Sequence, residues 1–211
     1  MLLLGILFDC RLNYSCHIRS MEVRASQRLG FFRRACSLLR SIKAREIVYK
    51  GFIRPLLEYA PLVWMSAPSA NRLDAIQARA LRIIGGLCFL DTLSHRRKVA
   101  GLTYLYKLRC GDVPQRLLDM IPPPLPEPTV RNIQTRGSEL EITSWHPFLL
   151  RNPLKHTSLE LIRNSFPYCL IKDWNNLPLE FFDGCFKRSK LQRFKTSVHH
   201  FLRHSNVPCL V

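Results

Sequence analysis

Tyr49 to Trp64 reads YKGFIRPLLEYAPLVW, and Arg72 to Gly86 reads RLDAIQARALRIIGG. These two stretches decide the fold class. The first continues a helix expected to begin near Ala44, with Ile47, Val48, Phe52 and Ile53 as its early apolar contacts. Pro55 and Pro61 each remove a backbone donor and clash with the preceding turn, so that helix must kink or restart at both. In the second stretch Leu73, Ile76, Ala80, Ile83 and Leu87 recur at three- and four-residue steps, the period that lines one face of a helix. Ser69 or Asn71 can cap its start, and Gly85 and Gly86 stop it. Helical periodicity broken by proline and glycine predicts a bundle of short helices.

The pattern continues outward in both directions. Upstream, Ile18, Met21, Ala25, Leu29, Phe32, Cys36 and Leu39 mark the apolar face of a long helix, with Arg19, Arg24, Arg28, Arg33, Arg34 and Arg40 around the rest. Before it, Leu2 to Phe8 is short, apolar and bounded by polar residues, which reads as a buried strand. Downstream, a helix is expected from Thr92 or Ser94 through Val99, Leu102, Leu105, Tyr106 and Leu108 to Gly111, then a short one over Val113 to Met120. The run PPPLPEP, Pro122 to Pro128, favours an extended, semi-rigid linker. Beyond it ELEIT (Glu139 to Thr143) and LELI (Leu159 to Ile162) read as strands, and Leu191, Phe194, Val198 and Phe201 as a closing helix. The predicted fold is mainly α: a strand and turn over 1–15, a helical domain over 16–121, a proline-rich linker over 122–128, and a small mixed α/β region over 129–211.

Charge narrows the partner. The chain holds 32 basic and 15 acidic residues in 211, a net charge of +17, with an isoelectric point near 10.1. Arginine supplies 23 of the cations, and its planar fork matches phosphate oxygens better than an ammonium does. Nucleic acid is the natural partner of such a balance. Eight scattered cysteines with no CxxC pair read as thiols of a reducing compartment. The opening MLLLGILFDC lacks the basic start and small-residue cleavage pattern of a signal peptide, and no run approaches the length of a membrane helix. These features predict an intracellular protein, nuclear or cytoplasmic, with no membrane partner and no small-molecule substrate.

Three segments carry a resemblance. LGILFDCRLNYSCHI (Leu4 to Ile18), YKGFIRPLLEYAPLVW and RLDAIQARALRIIGG, in this order and spacing, resemble the C-terminal side of the reverse transcriptase of non-LTR, jockey-like retrotransposons. YLYKLRCGDVPQRLLDMIPP (Tyr104 to Pro123), NSFPYCLIKDWNNLP (Asn164 to Pro178) and LQRFKTSVHHFL (Leu191 to Leu202) extend it, collinearly, over most of the chain. The resemblance implies a residual palm-edge strand, a thumb-like helical bundle and the segments that follow the thumb of an RNA-directed DNA polymerase. It begins just downstream of where the family carries its catalytic aspartates. A chain opening directly into a strand also reads as a truncated or decayed copy.

The chemistry agrees with that placement. Polymerases need convergent carboxylates holding two divalent metals, and the parent family uses Mg2+ at a site absent from this sequence. Asp9 has no acidic neighbour and reads as a turn or capping residue. Glu139 and Glu141 read as a solvated strand face. His200 and His204 stand one helical turn apart without a third ligand, and Cys10, Cys16 and His17 lack a fourth at zinc spacing. No catalytic residue, metal ligand or cofactor is therefore assigned, and the chain alone is expected to be inactive as a polymerase.

Basic residues remain. Arg72, Arg79 and Arg82 share one side of a helix, and His95, Arg96, Arg97 and Lys98 crowd the first turn of another. Cations there oppose the helix dipole, so they require an anionic partner, and phosphate can supply it. Arg72, Arg79, Arg82, Arg96, Arg97 and Lys98 are the candidate nucleic-acid-binding residues. The expected function is sequence-independent holding of primer–template by a fragment of a reverse transcriptase. The alternatives are a stand-alone basic nucleic-acid-binding module of host use and a structural protein with no nucleic-acid role.

Overall fold

The computed structural model describes residues 1–85, 90–111, 113–119, 121–126, 146–152, 165–182 and 186–205. It is mainly helical, and the chain divides into two compact units, Met1–Ala100 and Gly101–Val211. No helix among the described residues is long and apolar enough to cross a membrane.

The first unit opens with a hairpin rather than one buried strand. β1 (Leu2–Leu3) pairs antiparallel with β2 (Ile6–Leu7), in the register Leu2 with Leu7 and Leu3 with Ile6. Leu4 (φ 48°) and Gly5 (φ 79°) turn the chain between them, and positive φ at both central residues is what a tight hairpin turn needs. Only Ile6 of the run is buried, while Leu2, Leu3 and Leu4 are exposed. The hairpin is tied down at its ends: the Met1 amine donates to the Phe8 carbonyl at 2.9 Å, and the Tyr59 hydroxyl donates to the Leu4 carbonyl at 2.7 Å.

Asp9 then organises the entry to the first long helix. Its carboxylate accepts the backbone N–H groups of Asn13 and Tyr14, at 3.3 and 3.0 Å, a turn-stabilising role. α1 (Ser15–Leu38) buries Ile18, Met21, Ala25, Leu29, Phe32 and Cys36, six of the seven positions that its periodicity selects. α2 (Ile42–Phe52) ends before Pro55, as expected, and the chain restarts as α3 (Arg54–Leu57) and α4 (Pro61–Trp64). Here the face differs from the sequence expectation. Ile53 enters the core and Val48 packs against it as expected, but Tyr49 enters as well, whereas Ile47 and Phe52 stay exposed. Phe52 is instead overlaid by the Arg28 guanidinium, 5.2 Å from its ring centre, which also donates to the Phe52 carbonyl at 2.7 Å. After a 3-10 turn at Pro68–Ala70, α5 (Asn71–Ile84) packs along α1 and buries Leu73, Ile76, Ala80 and Ile84. Ile84 replaces Ile83 in the core because the buried line continues in four-residue steps. Gly85, at φ 75°, ends the helix.

A polar chain crosses this core. The Tyr49 hydroxyl donates to Gln77 Oε1 at 3.1 Å, and Gln77 Nε2 donates to the Asp91 carbonyl at 2.9 Å. This links α2, α5 and the segment before α6 (Leu93–Arg109). The Thr92 hydroxyl accepts the His95 N–H at 3.1 Å at the start of α6. The helix continues through the division between the two units.

In the second unit Tyr106 stacks on Phe194 with ring centres 4.3 Å apart, and Trp174 packs against Phe182, Phe186 and Phe194. Phe194, Val198 and Leu202 are buried on the closing helix, Leu191–Ser205. Trp64 and Trp174 both lie fully inside their units, each with its indole N–H on a backbone carbonyl, of Tyr59 and Phe148 respectively. Over the described part of the proline run, Pro124 bridges Leu150, Leu125 N–H donates to the Leu149 carbonyl and Arg151 N–H to that of Pro123. The strands expected at 139–143 and 159–162 lie outside the described residues, as does Trp145.

His17 ties β2 to α1. Fully buried, it accepts the Leu7 N–H on Nδ1 at 3.3 Å. Burial, reinforced by the charge of Arg24, lowers its pKa below the ordinary 6.5. The unfolded chain therefore takes up this proton first as pH falls. The stability that neutral His17 contributes is present above pH 6.5 and is lost as pH falls through the folded pKa. Melting curves from pH 7.5 to 5 should show His17→Asn, which keeps an acceptor but cannot titrate, losing less thermal stability than the native chain. An equal loss in both would exclude this role.

Candidate nucleic-acid interface

The helices α1 and α5 run side by side in the same direction, and a groove opens between them. One side of α1 supplies Arg19, Glu22, Val23, Ser26, Gln27, Gly30 and Arg33. With 3.6 residues per turn, Arg19, Ser26, Gly30 and Arg33 fall within roughly 60° of one another around the helix. α5 supplies Arg72, Arg79 and Arg82, with Ile83 as an apolar wall. Two adjoining cavities, which share Ser26, make up the groove. The first is about 790 Å³, between Arg19, Glu22 and Arg72. The second is about 380 Å³, between Leu29, Gly30, Arg33, Arg79 and Arg82.

The two ends differ electrostatically. Glu22 lies in the wider end, 3.8 Å from the Arg72 guanidinium. Both partners are wet, so the pair is worth about 0–1 kcal/mol, but it halves the local positive charge. The narrower end has three arginines and no acid among its lining residues. Arg79 leans toward α1, its Nη2 3.4 Å from the Ser26 hydroxyl. Five guanidinium groups thus face one channel. At 1.5 Å rise per residue the arginines extend over about 15–20 Å, the rise of roughly five nucleotides along one strand of a duplex.

The second predicted cluster has a different fate. Arg97 is buried and donates to Asp74 Oδ2 at 3.0 Å, with its guanidinium 5.7 Å from the centre of the Trp64 ring. Arg96 forms a two-pronged pair with Glu58, Nη2 to Oε2 at 2.9 Å and Nε to Oε1. That hydrogen bonding raises the pKa of Arg96. His95 is buried as well, and Lys98 is half-buried. Cations at this helix start do need anions, but Glu58 and Asp74 of the same unit supply them to Arg96 and Arg97. Only Arg72, Arg79 and Arg82 of the six candidates line the groove.

Conversely, Arg19 and Arg33 line it without having been selected. Their fourteen-residue separation is four helical turns, but so many arginines ring α1 that the sequence cannot choose among them. Cys169, His200 and His204 fall into ordinary roles. Burial pushes the Cys169 thiol up to about 11, so it holds its proton at neutral pH. His200 and His204 share one hydrogen bond between their Nε2 atoms, 3.1 Å apart, on the exposed side of the closing helix. Compared with protein-family models, with curated proteins and with solved structures, the chain matches none.

Proposed function

We propose that the chain holds nucleic acid through its sugar–phosphate backbone, without reading sequence, as the thumb-side portion of a non-LTR reverse transcriptase. The observation that carries this reading is the α1/α5 groove, where Arg19, Arg33, Arg72, Arg79 and Arg82 face one channel whose lining includes a single acid, Glu22. Phosphate contacts of this kind position a duplex but carry no sequence information. The charge of the unit supports it: residues 1–100 contain 17 basic and 6 acidic side chains. The collinear motifs described above support the polymerase origin, and the sequence offers no paired carboxylates with which this chain could itself do the chemistry.

The test is fluorescence anisotropy with a labelled 20-base-pair RNA–DNA hybrid. Five phosphate contacts give a log–log salt slope of about −4.5, so affinity should fall by a few hundred-fold between 50 and 200 mM salt. Hybrids of unrelated sequence should bind within about threefold of one another. Binding that ignores salt, or that picks one sequence by more than about tenfold, would refute the reading. Primer extension on an RNA template with magnesium should show no incorporation above a boiled control.

A further inference from the structure

The narrower end of the groove contains an unexplained residue. Gly30 lies in the middle of α1, where glycine weakens a helix relative to alanine. Such a position usually has a packing reason: another element comes so close that a Cβ would collide with it. Here nothing lies within 4 Å of where that Cβ would be. The space above Gly30 is the floor of the 380 Å³ cavity, with Arg33 beside it and Arg79 and Arg82 across it. Leu29 and Ile83 complete an apolar wall. Helix backbone without a side chain, in a cavity lined by three arginines and no acid, leaves room for a phosphodiester in direct contact.

We infer that Gly30, Arg33, Arg79 and Arg82 form one discrete phosphate seat, on which a single phosphodiester of the bound strand rests against the α1 backbone. This rests on the nucleic-acid-holding reading and sharpens it. The wide end, where Glu22 competes for Arg72, is a looser electrostatic track, whereas the narrow end fixes the position of the strand. A nucleic-acid strand is the occupant that fits. It offers an unbroken series of singly charged phosphates to a channel lined by five arginines, and the seat is continuous with that channel through Ser26.

Gly51 provides an internal control. It too lies in a helix with nothing within 4 Å of its would-be Cβ, but on α2, and it is not among the groove-lining residues. A Cβ at either position meets nothing within 4 Å, so Gly30→Ala and Gly51→Ala should leave the thermal midpoint equal or higher. In the full chain, with the RNA–DNA hybrid as probe, Gly30→Leu should weaken binding at least tenfold, and Gly51→Leu should leave it within twofold. Arg33→Gln should reduce the magnitude of the salt slope by about 0.9, as one lost phosphate contact does. If Gly30→Leu does not fold, Gly30→Ala and Arg33→Gln decide the matter: native affinity together with an unchanged slope overturns the seat.

The outcomes separate the two claims. Native chain that binds the hybrid, with Gly30→Leu binding equally well, overturns the seat and leaves the holding function standing. Native chain that does not bind the hybrid at 50 mM salt overturns both. Binding to phosphatidylserine vesicles without binding to the hybrid also overturns both, because it assigns the groove to an anionic lipid surface.

Discussion

Arg97→Gln should lower the thermal midpoint by about 5–10 °C while leaving the salt dependence of nucleic-acid binding unchanged. Arg97 has only 5% of its side chain exposed and reaches Asp74 across 3.0 Å. Breaking a fully buried pair by removing one partner costs about 3–5 kcal/mol, because the other charge is stranded. Asp74 is 31% exposed, so water can partly rehydrate it and the cost falls to about 2–3 kcal/mol. For a chain of this size each kcal/mol shifts the midpoint by about 2–4 °C. Asp74→Asn in the same background measures the coupling: the double variant should lose much less than the two single losses combined. A midpoint within 2 °C of native, with a salt slope shallower by about 0.9, would return Arg97 to the phosphate-binding residues.

Arg79→Gln combined with Arg82→Gln should produce the opposite signature. Both side chains are exposed on the groove wall of α5, and exposed substitutions of this kind usually stay within about 0.5 kcal/mol of native stability. Glutamine retains helix propensity and most of the bulk while removing charge. Two lost phosphate contacts should flatten the salt slope by about 2, and weaken binding uniformly across sequences. The comparison of the two experiments is the decisive one, since six cations named as one set of binding candidates are predicted to separate into a stability set and a binding set. A slope unchanged in Arg79→Gln/Arg82→Gln would make these arginines a solvated face.

Much of the first unit is legible in the sequence because helical periodicity is a local property. The buried face of α1 emerges residue by residue from its three- and four-residue steps. Gly85 stops α5, and Pro55 and Pro61 break the chain where their missing donors require it. Where the reading slipped, two apolar candidates competed for one position. Ile47 against Tyr49, and Ile83 against Ile84, differ only in their angle around a helix, and the choice belongs to whatever packs opposite. The hairpin was hidden for a related reason: an apolar run does not show whether it pairs with a distant strand or folds back on itself at Gly5.

The candidate site divides along the same line. Composition and helical spacing alone determined that this chain is basic, mainly helical and carries Arg72, Arg79 and Arg82 on one side of a helix. Only the tertiary structure decided which arginines remain available. Glu58 and Asp74 stand 38 and 23 residues from the cations they pair with, and Arg19 and Arg33 reach the groove from a helix far upstream of α5. No spacing rule reaches across such intervals. Ion pairing and groove formation depend on distances set by the packing of one helix against another, and those distances exist only once the core of Leu73, Ile76 and Ala80 has closed on that of Met21, Ala25 and Leu29.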